Sequence, residues 1–145
     1  MNNQLIQDLK LARDDLWAAL DTLDEAIEIY PGWKKREFFA HVAGWEAMVF
    51  TVLRAYLSNQ SSLEFDYQGV DKLNAYYVMV RQSTTVYDAR LECEINRFAI
   101  LTLLEQIGDF DAVLTFPWGQ NTVTEFLEGA IEHERLHLAD IVQLI

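Results

Sequence analysis

Apolar residues recur every three or four positions along most of the chain, the spacing that places them on one face of an α-helix. In the first segment, charged residues fill the remaining faces, and Arg13 falls among them. The apolar positions are Leu5, Leu9, Ala12, Leu16, Leu20, Leu23 and Ile27. This pattern predicts a helix of about six turns. Pro31 and Gly32 follow it, and they predict a turn because proline cannot continue the helical hydrogen bonds.

A second helix is predicted over about residues 33–57, with His41 and Trp45 on its apolar stripe. The connection over residues 58–69 begins with a polar run that shows no periodicity. It is too long for a tight turn, so we expect a crossover loop.

The third helical region is predicted to be interrupted. A short amphipathic piece begins at Val70, and Ser83 marks a break in the apolar pattern. Thr85 and Asp88 then have the spacing of a helix N-terminal cap, and the apolar pattern continues to Ile107. We therefore expect a kinked or broken third helix.

The last helix is predicted to begin at Thr122, which forms a capping-box pattern with Glu125 after a loop over residues 116–119. Its apolar stripe carries His133 and His137 almost to the end of the chain. No segment alternates apolar and polar residues as a strand does. The prediction is an all-α four-helix bundle with a long crossover connection and a kinked or broken third helix.

Length and composition limit what surrounds these helices. With 145 residues, 51% of them hydrophobic, we expect one domain over residues 1–145. No apolar run approaches the roughly 20 residues needed to span a bilayer, and the polar start lacks a signal-peptide pattern, so a cytoplasmic protein is expected. The single cysteine, Cys93, excludes an internal disulfide. A net charge of -12 opposes binding to nucleic acid.

Three histidines, the only ones in the chain, are the candidate chemistry. His133 and His137 are four residues apart, so their imidazoles lie on one helix face and can converge on one ion. His41 points inward on the second helix and is the only other histidine. A lone inward histidine is more often a hydrogen-bonded core residue than a ligand. Three together favour a metal site, and three ligands leave a coordination position open for catalysis.

The segment His-Glu-Arg-Leu-His over residues 133–137 also matches the zincin metalloprotease signature, in which the glutamate is a general base. That class needs a substrate-aligning sheet and a third ligand downstream. Here no strand is predicted and only eight residues follow His137, so the sequence argues against a protease. Glu134 lies close to the inward face, where it would either orient a metal-bound water as a catalytic residue or form a carboxylate at the rim.

Three stretches resemble the DinB-like superfamily of four-helix bundle proteins, which includes DfsB-type proteins and metal-dependent thiol S-transferases. They are a tryptophan followed by an Ala-His pair over residues 33–42, the loop over residues 118–123, and the pair of His133 and His137. The tract over residues 71–74 resembles the DfsB-type subgroup. The resemblance implies a divalent metal ion, often nickel, zinc or iron, held by three histidines in a pocket at one end of the bundle.

The first functional hypothesis is a metal-dependent enzyme in which His41, His133 and His137 hold an ion that activates water or a thiol. The reaction would be hydrolysis or S-transfer on a small molecule. A non-catalytic bundle that binds or sequesters a small molecule is the second hypothesis. A structural or homodimerising bundle is the third.

The position of the pocket depends on the direction of the helices. We expect the second and fourth helices of the bundle to be antiparallel, because both sets of ligands then lie at similar distances from one bundle end. Trp33, Trp45 and Asn96 are then predicted to line the pocket, with its mouth at the end that holds the C-terminus. This arrangement sends Trp118 to the far end, whereas a parallel pair would bring Trp118 nearer. Asn74 and Asn96, on or near apolar stripes, would support a histidine or bond locally.

Overall fold

The computed structural model describes residues 2–60 and 66–145. Within these residues the chain forms five helices and one two-stranded hairpin. In chain order they are α1 (Asn2–Thr22), α2 (Lys35–Leu57), α3 (Val70–Met79), α4 (Val86–Ile107), β1 (Val113–Phe116), β2 (Gly119–Thr122) and α5 (Val123–Val142). The predicted helical bundle is confirmed, with α1, α2, α4 and α5 as its long helices. Residues 61–65 of the predicted crossover lie outside the described residues. None of the described helices is long and apolar enough to cross a membrane.

Helices α2 and α4 run parallel to each other. Near the start of α2, the carbonyl of Phe39 accepts a hydrogen bond from Sγ of Cys93, near the start of α4. Further along both helices, Glu46 of α2 accepts a hydrogen bond from Arg97 of α4. Two parallel neighbours need a connection that returns along the bundle. Helix α3 carries part of this return, since Asn74 bonds Trp45 and Gln82 bonds Arg36, and the sequence predicts a crossover before it.

Helices α1 and α5 run in the opposite direction to α2. Trp17, near the end of α1, packs on Phe39 with ring centroids 5.2 Å apart. At the other end of the chain, His137 lies beside His41 with ring centroids 5.5 Å apart, so the end of α5 meets the start of α2. The antiparallel arrangement of α2 and α5 agrees with the sequence prediction.

The third helical region is broken where the sequence predicts. Helix α3 ends at Met79 and α4 begins at Val86. Arg36 of α2 donates a 2.7 Å hydrogen bond to the carbonyl of Gln82 in the connection, and the side chain of Thr85 accepts from the backbone amide of Asp88. These bonds satisfy backbone groups that a continuous helix would have paired internally.

Helix α1 is shorter than its apolar periodicity predicts, because it ends at Thr22 rather than near Ile27. The carboxylate of Asp24 accepts a 2.7 Å hydrogen bond from the amide of Ala26, which stabilises a turn in place of another helical turn. Leu23 is nevertheless buried. The apolar spacing therefore reflects the burial of side chains after Thr22, although the backbone there is no longer helical.

The hairpin corrects the prediction of a loop at residues 116–119 and of a chain without strands. Strands β1 and β2 pair antiparallel, from Val113 opposite Thr122 to Phe116 opposite Gly119. Gly119 has a φ of 141°, a backbone conformation that favours glycine. Burial alternates along β1, but only over four residues, and β2 carries mostly polar side chains. Such short strands give too weak a periodic signal to be detected.

The apolar core consists of two clusters stacked along the bundle. One contains Leu9, Leu104 and Leu127, and it reaches the hairpin through Leu114. The other surrounds the start of α2 and the end of α5. Each of the four long helices contributes to both clusters, and between the two lies a layer that contains charged side chains.

Candidate metal centre

The three histidines lie together at one end of the bundle. The ring centroid of His41 is 6.0 Å from that of His133 and 5.5 Å from that of His137, and the two histidines of α5 are 4.3 Å apart. One potential ligand nitrogen from each residue lies within 4.8 Å of the other two. His41 is buried, whereas His133 is exposed. The two helices thus bring together the three residues that the sequence singles out.

The tautomer of His137 follows from its neighbours. Its Nδ1 lies 2.7 Å from the hydroxyl of Tyr30, and that hydroxyl donates a 2.7 Å hydrogen bond to Oδ2 of Asp140. Since the hydroxyl proton is directed to Asp140, the hydroxyl oxygen accepts a hydrogen bond from Nδ1–H of His137. The remaining ring nitrogen, Nε2, therefore carries a free lone pair.

The Pro31–Gly32 turn holds Tyr30 in position. The amide of Trp33 donates a 2.8 Å hydrogen bond to the carbonyl of Tyr30, and Gly32 adopts a φ of 80° that glycine allows at little cost. Glu37 accepts from the amide of Lys34 and caps α2 directly after this turn. The helix stop that the sequence predicts thus also positions a neighbour of the histidines.

Two imidazole nitrogens are buried and have no hydrogen-bond partner among the described residues: Nδ1 of His41 and Nε2 of His137. A buried polar atom without a partner carries a free-energy cost unless something else binds it. Neutral imidazole nitrogens are good ligands for nickel, zinc and iron. The donor set therefore fits a divalent transition metal.

The histidines are neutral at pH 7. Burial, together with the neighbouring His137 and His133, lowers the pKa of His41 to about 3, although a hydrogen bond with Asn74 acts in the opposite direction. Burial and His133 lower the pKa of His137 to about 4, although Asp140 acts in the opposite direction. Partial burial also lowers the pKa of His133. A neutral imidazole is the form that coordinates a metal, so these shifts favour coordination.

A cavity of about 520 Å³ begins at the histidines and follows α5 towards the hairpin. Trp45 lines it, as the sequence predicts, and donates its indole N–H to Oδ1 of Asn74. Trp118 also lines it, with its ring 5.6 Å from that of Trp45 and stacked on Phe116. The hairpin, which the sequence pattern does not predict, thus builds the far end of the cavity.

Two residues predicted to line the pocket do not do so. The side chain of Asn96 is turned towards α2, where it donates a 3.2 Å hydrogen bond to the carbonyl of Ala43. Trp33 packs against His41 with ring centroids 5.0 Å apart, so it lies nearer to the histidines than Trp118 does. It nevertheless lies outside the cavity lining.

The mouth of the cavity is also not at the end that holds the C-terminus. That end is closed by rings packed on the imidazoles, namely those of Tyr30, Trp33 and Phe38. The lining residues that are exposed among those described are Val70, Trp118, Glu125, Gly129 and His133. The opening therefore lies on the flank of the bundle, between the start of α3 and α5.

Comparison with known proteins supports the fold. By sequence, no family model matches the chain, and no curated protein matches it. By structure, the chain is similar to a mycothiol-dependent maleylpyruvate isomerase and to a histidine-to-alanine mutant of that enzyme. Each match has a TM-score of 0.73 at 14% identity and covers 94% of this chain. This chain therefore shares the helical-bundle fold of those structures. The chain spans about 60% of the length of those two neighbours.

The helical bundle contains a closed arrangement of four charged side chains on the wall of the cavity, here termed the charge ring. Each long helix contributes one residue: Arg13 from α1, Glu46 from α2, Arg97 from α4 and Glu134 from α5. Arg13 bonds Glu46 at 2.9 Å and Glu134 at 2.6 Å. Arg97 bonds Glu46 at 2.8 Å and also bonds Glu134. The ring is the charged layer between the two apolar clusters.

Glu134 is therefore not a rim carboxylate. It is buried, and its Oε1 accepts hydrogen bonds from both arginines of the charge ring. Arg13, which the sequence analysis assigned to a polar face, is buried with it. The positive charges of Arg13 and Arg97 offset the cost of burying the carboxylates, and all four groups line the cavity beside the histidines.

Proposed function

We propose that this chain is a metal-dependent enzyme that acts on a small molecule, with a nickel, zinc or iron ion held by His41, His133 and His137. The observation that carries the proposal is the meeting of three neutral imidazoles at one end of a cavity, with Nε2 of His137 buried and unpartnered among the described residues. A bound ion of this kind lowers the pKa of a coordinated water or thiol and supplies a nucleophile for hydrolysis or S-transfer.

The surrounding residues have separable tasks in this proposal. Tyr30 and Asp140 orient His137 and keep its proton on Nδ1. Because His133 is exposed and lines the cavity, the reacting position is open to a substrate in the cavity. Trp45 and the other apolar walls exclude water from that position and strengthen electrostatic interactions there.

A low-molecular-weight thiol is the co-substrate that we favour. The structural neighbours are named as mycothiol-dependent enzymes, and a thiol is a ligand that zinc and nickel accept readily. Homodimerisation and location in the cytoplasm stay predictions from the sequence.

Metal analysis of protein purified without a histidine tag tests the site. We expect about one metal ion per chain in the unmodified protein and a sharp loss in His41→Ala and His133→Ala, with helical circular dichroism retained because the apolar clusters drive folding. Glu132→Ala, next to His133 but outside the cavity lining, is the matched control and should keep its metal. Equal metal content in all four proteins would discard the site.

A turnover screen separates the enzyme from a non-catalytic binding bundle. Electrophiles would be offered together with low-molecular-weight thiols, to the metal-loaded protein and to the same protein after treatment with a chelator. Metal-dependent consumption of the thiol supports S-transfer, and metal-dependent consumption of an ester or amide alone supports hydrolysis. Saturable binding without turnover in either screen would favour the binding bundle.

A further inference from the structure

Two glycines lie inside long helices, and their surroundings differ. A Cβ atom on Gly44 of α2 would lie 2.2 Å from the ring of Tyr77, so close packing of α3 requires glycine there. A Cβ atom on Gly129 of α5 would have no neighbour within 4 Å among the described residues. The φ of Gly129 is not positive either. Neither packing nor backbone conformation therefore explains Gly129, although glycine is second only to proline as an unfavourable residue in a helix interior.

The cavity offers an explanation for Gly129. This residue lies one helical turn before His133, on the same face of α5, and both residues line the cavity. A side chain at position 129 would project into the space between the histidines and Trp118. The glycine keeps that space continuous, so it limits the size of a molecule that can reach from the hairpin end to the histidines.

The walls of the cavity indicate the chemistry of such a molecule. Trp45, Trp118 and Phe126 provide aromatic surfaces, and aliphatic side chains provide much of the rest. Of the five charged lining residues, Glu125 is exposed and caps α5. The other four form the charge ring, whose two positive and two negative side chains pair with one another. A buried charge on the ligand would gain little from this neutral set and would still lose its hydration.

We propose that the cavity binds an uncharged molecule with an aromatic ring system, seated beside Trp45 and Trp118, and that Gly129 sets its maximum size. The volume of about 520 Å³ fits an organic ligand of two or three rings. The assignment of this molecule as the substrate rests on the proposed function, because its reactive end would lie at the histidines. Binding itself does not depend on that function.

The test uses N-phenyl-1-naphthylamine, an uncharged probe with a naphthyl and a phenyl group, which is titrated into the full chain. Its fluorescence rises in apolar sites. We expect saturable binding to the unmodified protein and a loss of about tenfold or more in affinity for Gly129→Leu, because leucine fills the space over the helix. Gly129→Met provides a second variant with an unbranched side chain. Gly129→Ala, which adds one methyl group, should stay within about threefold of the unmodified protein.

Ala139→Leu is the matched control, because it places leucine on the same helix at an exposed position outside the cavity lining. Its probe affinity should equal that of the unmodified protein. A sulfonated anilinonaphthalene of similar size tests the role of charge, and we expect it to bind about tenfold more weakly than the uncharged probe.

The outcomes distinguish this inference from the proposed function. Loss of probe binding in the folded leucine and methionine variants, with unchanged metal content, supports the role of Gly129. The inference is overturned if the unmodified protein shows no saturable binding, or if Gly129→Leu and Gly129→Met bind the probe as tightly as the unmodified protein. Tighter binding of the sulfonated probe than of the uncharged probe also overturns it. None of these results changes the metal assignment, which the metal content of the histidine variants decides independently.

Discussion

The hydroxyl oxygen of Tyr30 lies 2.7 Å from Nδ1 of His137, although 107 residues separate the two along the chain. The same hydroxyl donates to Asp140, so a residue of the turn before α2 is tied to the last turns of α5. This link fixes the imidazole whose other nitrogen faces the histidine cluster. Orientation of a ligand by a hydrogen-bonded neighbour is a common feature of metal sites.

Tyr30→Phe should weaken metal binding about tenfold, because the ring is kept while the hydrogen bond that fixes the His137 tautomer is lost. Competition with a chromogenic chelator measures the affinity. Tyr87→Phe removes an exposed hydroxyl on α4 and serves as the control. An affinity for Tyr30→Phe equal to that of the control would argue against a positioning role for Tyr30.

The histidines should make the metal-free protein less stable in acid. The pKa of His41 is about 3 and that of His137 about 4 in the folded chain, against an ordinary value of 6.5. Below that ordinary value the unfolded chain takes up protons that the folded chain cannot, so the free energy of unfolding falls as the pH falls. Urea unfolding at about pH 7.5 and about pH 5 measures the fall.

His41→Asn should lose less stability between these two pH values than the unmodified protein, because one depressed histidine pKa has been removed. Carboxylates titrate in the same range in both proteins, so the difference between the two isolates the histidine. An equal loss in both would show that His41 is not the source of the acid sensitivity.

Glu46→Gln should destabilise the protein by about 3 kcal/mol or more, because it leaves the buried Arg13 and the largely buried Arg97 of the charge ring short of a counter-charge. Asp21→Asn removes one partner of the more exposed Arg90–Asp21 pair and should cost less than about 1 kcal/mol. Chemical denaturation compares the two variants directly. Similar small losses in both would mean that the charge ring contributes no more than a surface ion pair.

The two helical glycines should respond to alanine with opposite signs. Gly129→Ala should raise the free energy of unfolding by up to about 1 kcal/mol, because alanine favours the helix and meets only open space. Gly44→Ala should lower it by about 1–3 kcal/mol, because the added methyl group collides with Tyr77. Thermal unfolding of both variants provides the measurement, and a stabilised Gly44→Ala would contradict the packing of α3 on α2.

Much of the fold could be predicted from local sequence, because its signals act between near neighbours. The turn at Pro31, the cap at Thr85 and the capping box at Thr122 each involve residues within one turn of helix. The three histidines could be singled out for a similar reason, since spacing along α5 and the inward stripe of α2 are both periodic properties. The hairpin was missed because its strands are only four residues long.

The charge ring could be predicted only in part. Arg13 shares a helical register with the buried Leu9 and Leu16, so its burial left a signal in the sequence. Its partner Glu134 is 121 residues away, and nothing in a single sequence indicates that pairing. The flank opening of the cavity was missed as well, because it depends on which aromatic rings close the end of the bundle. Such contacts are decided by tertiary packing.

The hairpin forms one end of the cavity, whereas the histidines at the other end lie on helices. Trp118 lies in the tight turn between β1 and β2, and within the described part of the chain the strands on either side pair only with each other. Substitution or lengthening of this turn would reshape one end of the cavity while the helices that carry the histidines stay in place. Under the proposed function, selection for a new ligand can therefore act on a short exchangeable segment, and the histidines at the other end can be inherited unchanged.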